Sequence, residues 1–281
     1  MEEDKRLEVI DLNGVKNTKY NTKLIPNQSA NTLFNFMDDF IYLEEMIEEK
    51  CIYPRYSKED FSFLNIPNIE TFYIAMKCFC DIHLHMVSKH KEEFGDYAIG
   101  LTKEWGVRNG LQPIIYCNKN SSYVKSIKIS YDSFNRFKDE FREDRNNSKI
   151  INDMAESFNQ SLKLLKPMFG KSNKTKKEKF FTDEQEWRYI PNIQNDLHLK
   201  EVFSYNFFQE KDKFERYNKK LKEKKYAIKF EYNDVRYIIV ESETHKNTLI
   251  NSIVNIKDIS DKEKYNLLTK ILVWDECKGD F

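Results

Sequence analysis

Glycine and proline are scarce in this sequence, at 7 and 6 of 281 residues. Turns must therefore rest on Asn, Asp and Ser. No P-loop, G-x-G-x-x-G, H-E-x-x-H or G-x-S-x-G is present, so the common phosphate-loop, zincin and nucleophile-elbow chemistries have no signature here. Net charge is also missing, because 46 Lys and Arg balance 46 Asp and Glu. That balance argues against a dominant phosphate-binding surface while leaving room for a local one. The five cysteines, Cys51, Cys78, Cys80, Cys117 and Cys277, are odd in number and scattered. This is no disulfide framework, and the charged first ten residues lack the apolar core of a signal peptide. A reducing cytoplasm is the expected setting. No apolar run approaches the roughly 18 residues of a membrane span.

What is present is aromatic: 21 Phe, 16 Tyr and 3 Trp. A chain of this length can bury a sizeable core around them. The patterning predicts an α+β fold, with a mixed or antiparallel central sheet and flanking helices. Residues 1–30 are weakly patterned and read as an N-terminal arm, with a short strand at Leu7–Leu12. Residues 31–281 read as a single domain. Strands are expected at Asn31–Phe36, Tyr73–Phe79, Tyr97–Leu101, Gln112–Cys117, Glu186–Pro191 and Ile271–Asp275. Helices are expected from a cap at Asp38 or Asp39 to Glu49, and over His83–Phe94, Thr244–Val254 and Asp261–Lys270. Apolar spacing of three and four residues at Ser122–Glu143 and Lys149–Leu165 predicts a helical hairpin, inserted at about 122–166. Between its helices lies the charged patch Asp139–Arg145. Lys166–Lys179 reads as a basic, solvated loop, Ser204–Lys225 as a charged helix, and Tyr226–Tyr232 with Val235–Glu241 as a hairpin about Asn233-Asp234.

Chemistry-bearing residues gather first at Lys77–Gly106, which holds two cysteines and three of the five histidines. Zinc sites favour C-x2–4-C with a second distant pair. The C-x-C of Cys78 and Cys80 has no such partner, so buried, inert thiols are the better reading and no metal is expected. Thr182–Arg188 is the second constellation. On a strand, Glu184, Glu186 and Arg188 share a face. Glu-x-Glu at a strand also occurs in mono-ADP-ribosyltransferases, though the tripeptide is common by chance. A solvated Glu–Arg pair is the plainer alternative. Arg55, between Tyr53 and Tyr56, offers a fork for a phosphate or carboxylate. Trp105 offers either a stacking turn or a core plug.

Together, Tyr53-Pro-Arg-Tyr, Cys78-Phe-Cys-Asp-Ile, His90, Gly95–Gly106, Gln112-Pro-Ile-Ile-Tyr and Glu184–Pro191 resemble the AbiGi family of bacterial abortive-infection proteins. The likeness runs from about Asn31 to Val240. Two positions depart from the family pattern: His83 stands where proline is usual, and Asn35-Phe36-Met37 where His-Phe-Thr is. The resemblance implies a phage-defence protein that acts as the antitoxin to a nucleotidyltransferase-like toxin. It would work through surfaces, with the cognate toxin or a phage-derived trigger as partner, and without membrane or nucleic acid. The alternative is an NAD-using enzyme of ADP-ribosyltransferase type. In that reading Glu186, with Glu184, is catalytic and stabilises the ribosyl cation. Arg55 holds the NAD phosphates, Tyr97 or Trp105 stacks on nicotinamide, and Arg188 joins the cofactor-binding set.

Overall fold

The computed structural model describes residues 29–277, except 142–146, 173, 194–195, 197 and 258. The expected strand at Leu7–Leu12, most of the N-terminal arm and part of the patch at 139–145 fall outside these residues.

Strand β1 (Thr32–Met37) is buried at five of its six positions, as a central strand should be. The Asp39 carboxylate accepts from the Ile41 amide and caps α1 (Phe40–Glu49), which buries Leu43, Met46 and Ile47. Left-handed Lys50 ends that helix. The chain then forms β2 (Cys51–Ile52) and β3 (Arg55–Asp60). Long β4 (Thr71–Cys80) follows. Helix α2 (Val87–Phe94) starts later than expected, after a short turn of tighter helix at Leu84–Met86. It ends at Gly95, whose φ of +115° only glycine adopts readily and where a Cβ would stand 2.2 Å from the Met37 carbonyl oxygen. Next come β5 (Tyr97–Thr102) and α3 (Lys103–Arg108), which the Thr102 hydroxyl caps.

Residues 112–117 break at Ile114 into β6 (Gln112–Pro113) and β7 (Ile115–Cys117). The helical hairpin is present as α4 (Ser122–Glu140) and α5 (Ser148–Leu162). The segment expected as a solvated loop instead forms β8 (Leu165–Pro167), β9 (Phe169–Lys171) and β10 (Glu178–Phe180). Then come β11 (Glu186–Tyr189), β12 (Val202–Ser204) and α6 (Lys211–Leu221), the last shorter than its charge pattern suggests. No hairpin forms about Asn233-Asp234: β13 (Ile228–Lys229) pairs with β2, while β14 (Val235–Val240) pairs with β5. Helices α7 (Glu243–Asn255) and α8 (Asp261–Leu268) lead to β15 (Ile271–Val273), which lies parallel to β14.

The fold is thus α+β around a mixed, mostly antiparallel nine-stranded sheet. Its order is β15-β14-β5-β1-β4-β11-β6, with β3 and β12 also on β4. The largest apolar cluster joins Leu33, Ile99, Leu101, Trp105 and Ile238 to residues of α1, α7 and α8. The hairpin meets the rest through Val124 and Leu162, which pack with Ile74 and Met76 of β4. Helix α6 closes over Tyr56 and Ala75 through Leu221. Strand alternation sends Cys78 and Cys80 to one side of β4 and Lys77 and Phe79 to the other. Both candidate sites follow from that division.

Candidate functional site

On the Cys78 side, β11 lies against β4 with Glu186 opposite Cys80 and Arg188 opposite Cys78. Cross-strand partners share a face, so the carboxylate and the guanidinium stand over the two thiols. Glu184 lies just before β11, in a turn of tighter helix, and is buried with them. Lys166 Nζ reaches Glu184 at 2.6 Å and Glu186 at 2.8 Å. Lys179 Nζ binds Glu184 at 2.9 Å and also pairs with Glu93. The Arg188 Nε donates to Glu186 at 2.6 Å, while its two terminal nitrogens donate to the Lys163 carbonyl at 2.7 Å and to Glu59 at 2.8 Å. The Glu186 amide donates to the Tyr116 hydroxyl at 2.9 Å.

Glu186 is 4% exposed and Arg188 1%. Burial pushes the Glu186 carboxyl up, but Arg188 and Lys166 outweigh it and hold the group well below the usual carboxylate range. Burial likewise works against the charge on Lys166 and Arg188, and the glutamates beside them hold both well above their usual values. The Cys78 and Cys80 thiols are pushed up, first by burial and then by the neighbouring glutamates. They stay protonated and unreactive at neutral pH. Every charge in the set has a counter-charge, so this is a closed network with both Glu186 oxygens engaged.

On the Lys77 side, α1, β3, β4 and α6 enclose a cavity of about 310 Å³. Arg55, Lys77, Lys219 and Lys222 bring positive charge to it, and Glu45 and Glu215 negative. Met37, Met46, Tyr42 and Tyr53 supply apolar and aromatic wall. Lys222 is paired with Glu45 at 3.0 Å. Lys77 is half-buried. Burial, with Arg55 beside it, lowers its pKa to about 8.

Sequence reasoning places Arg55 and Glu184–Arg188 on one pocket, and the structure does not bring them together. Arg55 lines the Lys77 cavity, while Glu186 and Arg188 lie over Cys78 and Cys80 and are not among the residues that line it. Trp105 is fully buried, its ring against Phe79 at 5.4 Å and its indole N–H donating to the Lys229 carbonyl at 2.8 Å. It is the core plug of the two readings, with no ring face left for a nicotinamide. Tyr97 is buried at the start of α7, where its hydroxyl donates to Glu241 at 3.2 Å and its ring packs on Phe40 and His245. Burial and Glu241 push its pKa up to about 12.

Four network members escape the sequence pattern: Glu59, Glu93, Lys166 and Lys179. The last two sit in the low-complexity basic run, where nothing local distinguishes a buried lysine from a solvated one. The one available signal is the apolar flank Leu164-Leu165 before Lys166, which marks where the chain enters the core.

A family model described as "Putative abortive phage resistance protein AbiGi, antitoxin" matches residues 49–241. That span contains Arg55, Lys77 and the whole closed network. An abortive phage resistance protein AbiGi from Lactococcus lactis subsp. cremoris is 32% identical over 249 residues, covering 81% of this chain and 98% of the relative. No solved structure matches the chain significantly.

Proposed function

The chain belongs to the AbiGi family of abortive phage resistance proteins, and from that premise we propose that it neutralises a cognate toxin by direct contact rather than by catalysis. One observation carries the reading. The densest cluster of ionisable groups, where an enzyme would keep its working carboxylate, is internally neutralised by Lys166, Lys179 and Arg188. A general base or cation-stabilising carboxylate needs a free oxygen facing its substrate. Glu186 has none.

Contact is better served by the helical hairpin. Helix α5 turns Ile150 and Met154 outward, one helical turn apart, and α4 exposes 64% of Ile129. The antitoxin description of the family supports a toxin as the partner for this surface. A nucleotidyltransferase-type toxin encoded beside the gene is the first partner to test.

Co-expression with that neighbouring toxin should relieve growth arrest, and the two proteins should co-purify. Ile129→Asp with Met154→Asp should abolish both effects and leave the melting temperature within a degree or two of wild type, as exposed substitutions usually do. Glu186→Gln, in whatever fraction folds, should still neutralise. The reading fails if the purified protein releases nicotinamide from NAD and Glu186→Gln does not. It also fails if the protein alone arrests growth.

A further inference from the structure

We propose that the cavity between α1, β3, β4 and α6 binds a small organic phosphate of nucleotide size, gripped by Arg55, Lys77 and Lys219. This goes beyond toxin neutralisation and uses a surface apart from the exposed hairpin residues.

The charge balance of the cavity favours an anion. Of its four cations, Lys222 is occupied by Glu45. Arg55, Lys77 and Lys219 have no ion-pair or hydrogen-bond partner for their side chains among the described residues, and only Glu215 remains to oppose them. Lys77 is the most telling of the three. A half-buried ammonium without a counter-ion disfavours the folded state, and an apolar residue would suit the position better. It is still mostly charged at neutral pH. An anion entering the cavity would offset that cost. On the other side of the same strand every buried charge is matched, so the bare lysine is no general habit of this fold.

The walls narrow the ligand further. Met37 and Met46 form a buried apolar floor, and Tyr42 and Tyr53 offer ring faces. These suit the planar or apolar body of a ligand whose charged end meets the three cations. Two lysine ammoniums and a planar guanidinium outnumber the two oxygens of a carboxylate, whereas a phosphate group presents three. A volume of about 310 Å³ stands at the lower end of small-molecule sites. That matches a mononucleotide and leaves no room for a folded peptide or a nucleic-acid strand. The wall is held in place before any ligand arrives. The Asn218 side chain accepts from the Tyr56 amide at 2.8 Å and donates to the Phe214 carbonyl at 3.2 Å. Tyr53 is fixed by a hydrogen bond to Glu49 at 2.5 Å.

Thermal unfolding of the full-length protein with AMP, ADP or inorganic phosphate at millimolar concentration tests the proposal. The nucleotides should raise the melting temperature, and inorganic phosphate should raise it less. Arg55→Gln and Lys77→Met should each weaken nucleotide binding at least about tenfold. Lys77→Met should in addition melt above wild type without nucleotide, a gain that a merely structural lysine would not give. No shift with any probe would overturn the proposal, as would a shift that survives both variants. A shift with inorganic phosphate equal to that with AMP would overturn the organic part of the ligand.

Discussion

The two sides of β4 treat charge in opposite ways. Over Cys78 and Cys80, buried Arg188 and half-buried Lys166 and Lys179 are all paired with carboxylates, with Lys166 and Arg188 sharing Glu186 between them. One residue away along the strand, Lys77 faces a cavity with no ion-pair partner among the described residues. Buried pairs of this kind seldom add much net stability over an apolar core, but breaking one is expensive because a bare charge remains. One side of the strand is architecture and the other is a site. Density of ionisable groups marks the first, and incompleteness marks the second.

Removing a cation from the closed side should have the largest effect. Arg188→Met strands Glu186 and Glu59 and should destabilise the protein by about 3–5 kcal/mol in urea unfolding, or prevent its accumulation. If the variant unfolds at the wild-type midpoint, the network is not structural. Lys166→Met, which leaves Arg188 on Glu186, should act in the same direction by about 2–4 kcal/mol.

Acid should attack the same side next. The carboxyl groups of Glu186 and Glu93 are held below their usual values in the folded protein, by Arg188 and Lys166 and by Lys179 respectively, despite burial. Their contribution is present above the unfolded value of 4.5 and is lost as pH falls below it. Stability should drop steeply below about pH 4.5 in wild type and more gently in Glu186→Gln, read as the difference between their melting curves. The same slope in both proteins would remove Glu186 from the account.

The open side should show a smaller effect of opposite sign. Because the folded pKa of Lys77 is lowered from 10.5 to about 8, its penalty is complete below pH 8 and relieved between those values. The stability gap between Lys77→Met and wild type should therefore close as pH rises through that window, by an amount on the order of 1–2 kcal/mol once partial solvation is allowed for. Arg55, Glu45, Glu215, Lys219 and Lys222 also line the cavity. None of them is altered by the Lys77 substitution, so the difference isolates the lysine. A gap that stays constant from neutral pH to pH 10 would contradict the burial argument.

Much of the fold was legible in the sequence. Strong local signals placed β1, β4, β5 and β11, the capped helix α1 and the hairpin α4–α5, because apolar periodicity and capping are local properties. Pairing was less legible. Tyr226–Glu241 looked like a hairpin, yet β13 joins β2 and β14 joins β5, since long-range burial outweighs a plausible turn. The site divided in the same way. Glu184, Glu186 and Arg188 are close in sequence, and their shared environment was readable from strand alternation. Lys166 and Lys179 were not, because they sit in a basic run whose composition reads as solvated and only the pairing of β8 and β10 with other strands brings them to the glutamates. Nor was the separation of Arg55 from Glu186, which depends on where β3 and β11 each meet β4.

The most direct test sets the two sides against each other in one urea titration at neutral pH, without ligand. Arg188→Met should lower the unfolding midpoint while Lys77→Met should raise it. If Lys77→Met lowers the midpoint as well, the cavity lysine is part of the architecture and the distinction between a closed network and an open site is wrong.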